Sequence, residues 1–163
     1  MAIHFFSEDV PFKLPEKLRR KRWLKNLATT AGYRVQELNY VFCSDEYLFQ
    51  MNVDYLNHDT YTDIITFDNS EKEHDLEGDI FISIDRVREN AKTHTTDEDS
   101  ELTRVLAHGL LHLMGYKDKS KEEASLMRKK EEEAMELFRL NWLFHVKQLQ
   151  TALTVDCNVP RET

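Results

Sequence analysis

Val105-Leu106-Ala107-His108-Gly109-Leu110-Leu111-His112-Leu113-Met114-Gly115 is the stretch on which the fold turns. Within 105–114, every residue except His108 and His112 is apolar or glycine. A helix that is apolar around most of its circumference belongs inside a core, so this segment predicts a central, buried helix. Gly115 closes it, because glycine accepts the positive φ of a helix C-terminus. Upstream, Thr96 and Asp99 match a capping pattern, and Asp97, Glu98 and Asp99 suit the positive end of the helix dipole.

Working outward, Ala2–Phe6 is apolar and reads as an edge strand. Pro15 to Ala31 predicts a helix with Leu18, Trp23, Leu24 and Leu27 as its apolar stripe and Gly32 as its stop. Glu37–Cys43 alternates as a strand. Ser44 caps a helix that reaches about Tyr55. Thr62–Phe67 and Gly78–Ile84 predict two strands in a hairpin, with Asp85–Thr93 continuing as a short helix. Ser120 and Glu123 form a capping box for a last helix, and the tail after about Val155 reads as loose. The order predicts one α+β domain, a small mixed sheet packed with helices around a buried central helix. We divide the chain into a domain over 1–138 and a helical extension over 139–163, whose Leu140, Trp142, Leu143, Phe144 and Val146 are apolar enough to pack or self-associate.

Composition bounds the function. The chain has 163 residues and a formal charge of −8, which opposes generic polyanion binding unless the positive charge is gathered in one place. It is gathered: Lys13, Lys17, Arg19, Arg20, Lys21, Arg22 and Lys25 stand close together, while much of the acid lies at 97–101 and 122–136. Cys43 and Cys157 are far apart and form no Cys-x-x-Cys pair, so a disulfide framework and a thiolate metal site are both disfavoured. The first residues do not read as a secretory leader, and no apolar run approaches the ~20 residues of a membrane span. The expectation is a reducing, cytoplasmic setting with no membrane.

The chemistry lies in the buried helix. His108 and His112 are four residues apart, which sets both imidazoles on one helical face, one turn apart. Burying polar groups without partners costs ~1–3 kcal/mol each, so two of them in an apolar run need a shared reason. That spacing lets two ring nitrogens hold one metal ion, and a residue beyond the Gly115 turn can supply a third donor. Asp118 is that donor. Three protein ligands leave a fourth position for water, the pattern of a catalytic zinc site; metal lowers the pKa of such a water towards ~7, ready to attack a phosphodiester or an acyl carbon. Gly109 stands where a zincin peptidase carries its general-base Glu, which excludes that mechanism.

His108-Gly109-Leu110-Leu111-His112-Leu113-Met114-Gly115-Tyr116-Lys117-Asp118 resembles the signature of the YbeY-type endoribonucleases, His-Gly-x-Leu-His-Leu-x-Gly-Tyr-Asp-His. The family's third histidine ligand falls on Asp118, and the added negative charge makes a bound water less acidic. Two further motifs resemble the family in order: Asn52 and Tyr55-Leu56 followed by Asp59-Thr60-Tyr61-Thr62-Asp63-Ile64-Ile65-Thr66-Phe67, and Gly78-Asp79-Ile80-Phe81-Ile82-Ser83. Leu56 replaces the family's groove arginine, with His58 and Lys117 as candidate substitutes. The resemblance implies a zinc-dependent endoribonuclease that cuts single-stranded rRNA, matures the 3′ end of small-subunit rRNA and serves ribosome quality control at the small subunit. Asp63, Thr66 and Ser83 are the groove candidates. Two other readings remain open: a metal hydrolase of another bond, and a metal-binding ribosome assembly factor without hydrolysis.

Overall fold

Along 75–83, alternate residues Leu76, Gly78, Ile80 and Ile82 are buried, the period-two pattern of a strand with one face against a core. That strand sits second from the edge of a four-stranded mixed sheet. The computed structural model describes residues 2–58 and 60–156, with 141–156 as backbone alone. In chain order the elements are β1 (Ala2–Ser7), α1 (Lys17–Thr30), β2 (Arg34–Cys43), α2 (Asp45–Leu56), β3 (Ile64–Asp68), β4 (Asp75–Ser83), α3 (Ile84–Thr93), α4 (Glu98–Leu113) and α5 (Lys121–Asp156). The sheet order is β1-β2-β4-β3. β1 and β4 run parallel to β2, and β3 pairs antiparallel to β4, so β1 lies at one edge and the expected hairpin forms the other.

The two sheet faces have different cores. Ile80 and Ile82 join Leu106, Leu110 and Leu113 of α4 and Trp23 and Leu24 of α1 in the main core. On the opposite face, Ile65 packs with Cys43 and Leu48, bordered by Tyr47, Phe67 and Phe81. The register Ile64↔Ile82 and Thr66↔Ile80 sets Ile64 and Thr66 on the α4 face. As read from the sequence, α4 is the central buried helix, with ten of its sixteen residues buried.

Several local expectations are corrected by tertiary contacts. Asp97, not Thr96, is the N-cap of α4, and its carboxylate accepts the Ser100 N–H at 2.7 Å. Thr96 instead donates its own N–H to the Ala91 carbonyl, finishing the turn after α3. Asp99 is drawn to Arg20 at 2.7 Å. In α1, Leu18 is 69% exposed, whereas Arg20 is fully buried and bonded to Thr103, Asp99 and the Pro15 carbonyl. The guanidinium therefore occupies the core-facing side of the helix through its hydrogen bonds, and Leu18 in the first turn points away. Ile84 belongs to α3 rather than to the strand, because Ser83 caps that helix by accepting the Arg86 N–H at 3.1 Å. The last helix starts as expected, with Ser120 and Glu123 exchanging 3.1 Å bonds. It runs through residue 139 without a break. Leu140 is exposed, while the side chains of Trp142, Leu143, Phe144 and Val146, and all of Cys157, lie outside the described residues.

Gly109 is the point where α4 meets the sheet. A Cβ there would come within 2.9 Å of both Ile64 Cδ1 and Ile80 Cγ2. Replacing Gly109 by Glu should therefore cost more than the ~1–3 kcal/mol typical of overpacking, because a carboxylate would also lose its water. Denaturant melts of Gly109→Glu should show the loss; a variant as stable as wild type would show that the helix has room to retreat.

Candidate metal centre

The turn after α4 follows from one glycine. Gly115 adopts φ 96, a conformation that costs other residues a steric clash. Its N–H bonds to the His112 carbonyl and the Tyr116 N–H to the Leu111 carbonyl, both at 3.0 Å, which together form a Schellman cap. The chain is thereby folded back over the last turn of the helix. The Tyr116 carbonyl lands 3.0 Å from His112 Nδ1, and Asp118 reaches the two imidazoles.

The three side chains singled out from the sequence converge. His108 Nε2 and His112 Nε2 are 2.9 Å apart, and Asp118 Oδ2 is 3.5 Å from each. All three donor atoms lie within 4.8 Å of one another. Donors bound at ~2.1 Å to one ion are separated by at most about 4.2 Å, so these spacings suit a shared cation. The histidines are largely buried, with side-chain exposures of 12% and 23%, and Asp118 is 41% exposed, so the centre opens to solvent on the carboxylate side.

Proton accounting strengthens the fit. His108 Nδ1 faces the Glu131 carboxylate at 2.6 Å, and His112 Nδ1 faces the Tyr116 carbonyl. Both partners are acceptors, which favours the tautomer with the proton on each Nδ1 and directs each Nε2 inward as a ligand atom. Two lone pairs at 2.9 Å and a carboxylate repel one another unless a positive charge lies among them. The donor set therefore fits one metal ion, and imidazole nitrogen with carboxylate oxygen suits a divalent ion.

The residue that sequence reading missed is Glu131. It is 5% exposed, in a helix that read only as heavily charged. Its sole signal in sequence was its alignment with buried Met127, Ala134 and Phe138 along α5, at three- and four-residue spacings. Burial alone would raise its carboxyl pKa; the His108 hydrogen bond and the Arg104 guanidinium outweigh that and hold it below the usual carboxylate range. Arg104 bonds Glu131 at 3.2–3.3 Å and Glu101 at 2.6 Å, and lies 3.7 Å from Asp63. Burial works against its charge, but the Glu101 bond and the carboxylates of Glu131 and Asp63 keep it firmly protonated. A chain of contacts thus runs Asp63, Arg104, Glu131, His108.

The groove candidates part company. Asp63 is half-buried at the far end of that chain. Thr66 is half-buried on the α4 face of the sheet, opposite Ile80. Ser83 is fully buried and committed to the Arg86 N–H and Asp45. Asn52 is structural: its amide donates to the Thr60 carbonyl at 2.8 Å and ties down the segment before β3. Leu56 is 43% exposed, and His58 and Lys117 are also exposed. Among the described residues, no helix is long and apolar enough to cross a membrane.

A mixed-sheet α+β fold that brings two helix imidazoles and a turn carboxylate to one point is the class of protein defined here. The family model described as Endoribonuclease YbeY matches residues 8–139. A Cytophaga hutchinsonii protein named endoribonuclease YbeY is 56% identical over 136 residues, covering 83% of this chain and 95% of the relative. Its namesake from Christiangramia forsetii is 46% identical over 138 residues, covering 85% of this chain and 95% of the relative. The solution structure of TM1509 from Thermotoga maritima superposes with a TM-score of 0.62 at 25% identity, over 88% of this chain and 93% of that one. This chain belongs to the endoribonuclease YbeY family.

Two outcomes follow from this geometry. Glu131→Gln should weaken metal binding 10–100-fold, as loss of a partner that orients a ligand histidine typically does; competition with a chromophoric chelator measures it, and unchanged affinity would remove Glu131 from the site. Cys43 should be silent chemically. It is fully buried, and burial, reinforced by Asp9, Asp85, Glu8 and Asp45, pushes its thiol up to about 12. Its thiolate is thus scarce until strongly alkaline pH, and peptide mapping after iodoacetamide treatment at pH 8 should find Cys43 modified only in denatured protein.

Proposed function

We propose that the protein is a metal-dependent endoribonuclease that cleaves single-stranded RNA through the centre formed by His108, His112 and Asp118. The observation that carries this reading is the convergence of three donor atoms on one point, with both outer ring nitrogens facing fixed hydrogen-bond acceptors. The relatives named as endoribonucleases support the choice of RNA as substrate. In the same reading the ion is zinc, the compartment is the cytoplasm, and the work is 3′-end maturation of small-subunit rRNA and quality control at the ribosomal small subunit. We read 1–138 as the catalytic domain and 139–163 as an extension of its last helix.

When bound, the metal supplies Lewis-acid activation of water and of the scissile phosphate. The chain's own residues do the rest. Glu131 and the Tyr116 carbonyl hold the two imidazoles in the tautomer and orientation that turn Nε2 inward. Arg104 keeps Glu131 ionised and in place, and Asp63 braces Arg104 from the β3 side. Gly109 leaves no side chain between the helix and the sheet, so no general base comes from that position. Lys117, exposed and adjacent in sequence to Asp118, is a candidate to meet a backbone phosphate now that Leu56 stands at the groove position. Thr66, on the α4 face, is the remaining candidate for contact with the strand. Ser83 is left out of the reaction because its hydroxyl is already engaged as a helix cap.

Purified protein should cut a short single-stranded RNA oligonucleotide in the presence of zinc. It should lose that activity with a chelator and regain it when metal is restored. His112→Ala should behave as the chelated protein does while keeping the wild-type circular dichroism spectrum. Cleavage that persists unchanged in chelator and in His112→Ala would sink the reading, and elemental analysis of gently purified protein tests the choice of zinc.

A further inference from the structure

Helix α1 carries a charge pattern that the metal centre does not use. Its sequence from 17 to 25 is Lys17-Leu18-Arg19-Arg20-Lys21-Arg22-Trp23-Leu24-Lys25, and the whole helix contains no acidic residue. The fold absorbs two of these cations. Arg20 is buried on Asp99 and Thr103, and Arg19 bonds Glu16 and the Phe138 carbonyl. The other four, Lys17, Lys21, Arg22 and Lys25, form a stripe that borders the buried face of Arg20, Trp23, Leu24 and Ala28; Lys21 is half-buried and the other three are exposed. None of the four has an ion pair or hydrogen bond among the described residues. Lys21, Arg22 and Lys25 overhang a shallow groove floored by Ala2, Ile3 and Val35, beside the β1 edge of the sheet.

This arrangement works against folding. Lys17–Lys21 and Lys21–Lys25 are like charges at i, i+4, which destabilise a helix. Lys17 also sits in the first turn, at the positive end of the helix dipole. Some exposed cations elsewhere are matched at short range, as in Lys130–Glu133, Arg139–Glu136 and Arg88–Glu98; what sets α1 apart is that its four stand together on a helix with no acidic residue. A chain of net charge −8 has ample acid to neutralise α1 and does not do so. A local rule broken without local compensation marks a functional surface.

We propose that the Lys17, Lys21, Arg22 and Lys25 face of α1 is a second RNA-binding surface, one that grips backbone phosphates away from the site of cleavage. The inference rests on the endoribonuclease reading for the choice of RNA as the polyanion. Phosphate binding by an unpaired, regularly spaced row of cations needs no pocket and reads no sequence. The face is distinct from the metal centre. α1 meets α4 at Thr103, and His108 lies five residues further on, roughly 140° around that helix. A substrate that touches both must be long or folded enough to pass around the domain, so the surface favours large structured RNA over short oligonucleotides.

The test combines the substitutions K17Q, K21Q, R22Q and K25Q in the full chain. Binding of a long, structured small-subunit rRNA transcript is measured across a salt series, alongside cleavage of a short single-stranded oligonucleotide. Loss of four phosphate contacts should flatten the log–log salt dependence by roughly 3–4 and weaken binding at least ten-fold at low salt. Cleavage of the short oligonucleotide should persist at the wild-type rate, and the melting temperature should hold or rise as the like-charge repulsion goes. Charge reversal by K21E and K25E alone should weaken long-RNA binding further. An unchanged salt slope in a folded quadruple variant overturns the proposal. So does wild-type RNA affinity accompanied by lost binding to poly-L-glutamate, which would make an acidic protein the occupant. Failure of the wild type to cut the short oligonucleotide strikes the endoribonuclease reading instead, and is distinguished from both.

Discussion

The contact of α4 with the sheet at Gly109 governs the geometry of everything around it. With Ile64 and Ile80 reaching to where a Cβ would stand, the helix axis lies close to β3 and β4 and cannot rotate without collision. Once that side is fixed, the helical repeat determines the rest. Leu106, Leu110 and Leu113 turn to the main core, Thr103 meets Arg20 of α1, and His108 and His112 are carried to the flank where α5 passes. A buried helix is usually a packing element. Here its rotation is also the reason two imidazoles point the same way at a solvent-facing edge.

The second requirement is a supply of partners for charges held out of water. Glu101 and Glu131 are both buried, and each would be costly alone. Arg104 satisfies both, and Glu131 Oε1, which Arg104 also reaches, pairs with His108 Nδ1. The same logic appears on the far side of α4, where Arg20 reaches Thr103 and Asp99. Neither network is needed to fill volume. Each locks the mutual position of elements distant in sequence: α4 to α5 in one case, α1 to α4 in the other. A candidate metal centre whose ligands would come from a helix and the loop after it depends on that rigidity, because a carboxylate that drifted from His108 would no longer orient its ring.

The motifs shared with the family divide by physical role. Asn52 holds down the approach to β3, and Ser83 starts α3. Neither is free to touch a substrate. Exposed chemistry in these motifs includes Asp118, Lys117, the edges of the two histidines, and Tyr55, Thr60 and Tyr61. Similarity to the Thermotoga maritima structure at 25% identity across nearly the whole fold fits this division, since capping and close packing constrain a scaffold more evenly than any single reaction does.

The sequence by itself determined the period-two strands, the apolar α4, its glycine stop, the Ser120–Glu123 box and the pairing of His108 with His112. Each depends on residues within a turn or two of one another, where spacing translates directly into direction. It also pointed to Asp118, because a glycine turn leaves little freedom in where the next few residues go. Only the tertiary structure decided that Arg20 is buried while Leu18 is not, that Asp97 caps α4 because Asp99 is taken by Arg20, and that Glu131 stands behind His108. Those outcomes are contests between side chains far apart in the chain. Local propensity assigns no energy to a partner that arrives from another helix, so the winner emerges only once the helices are packed.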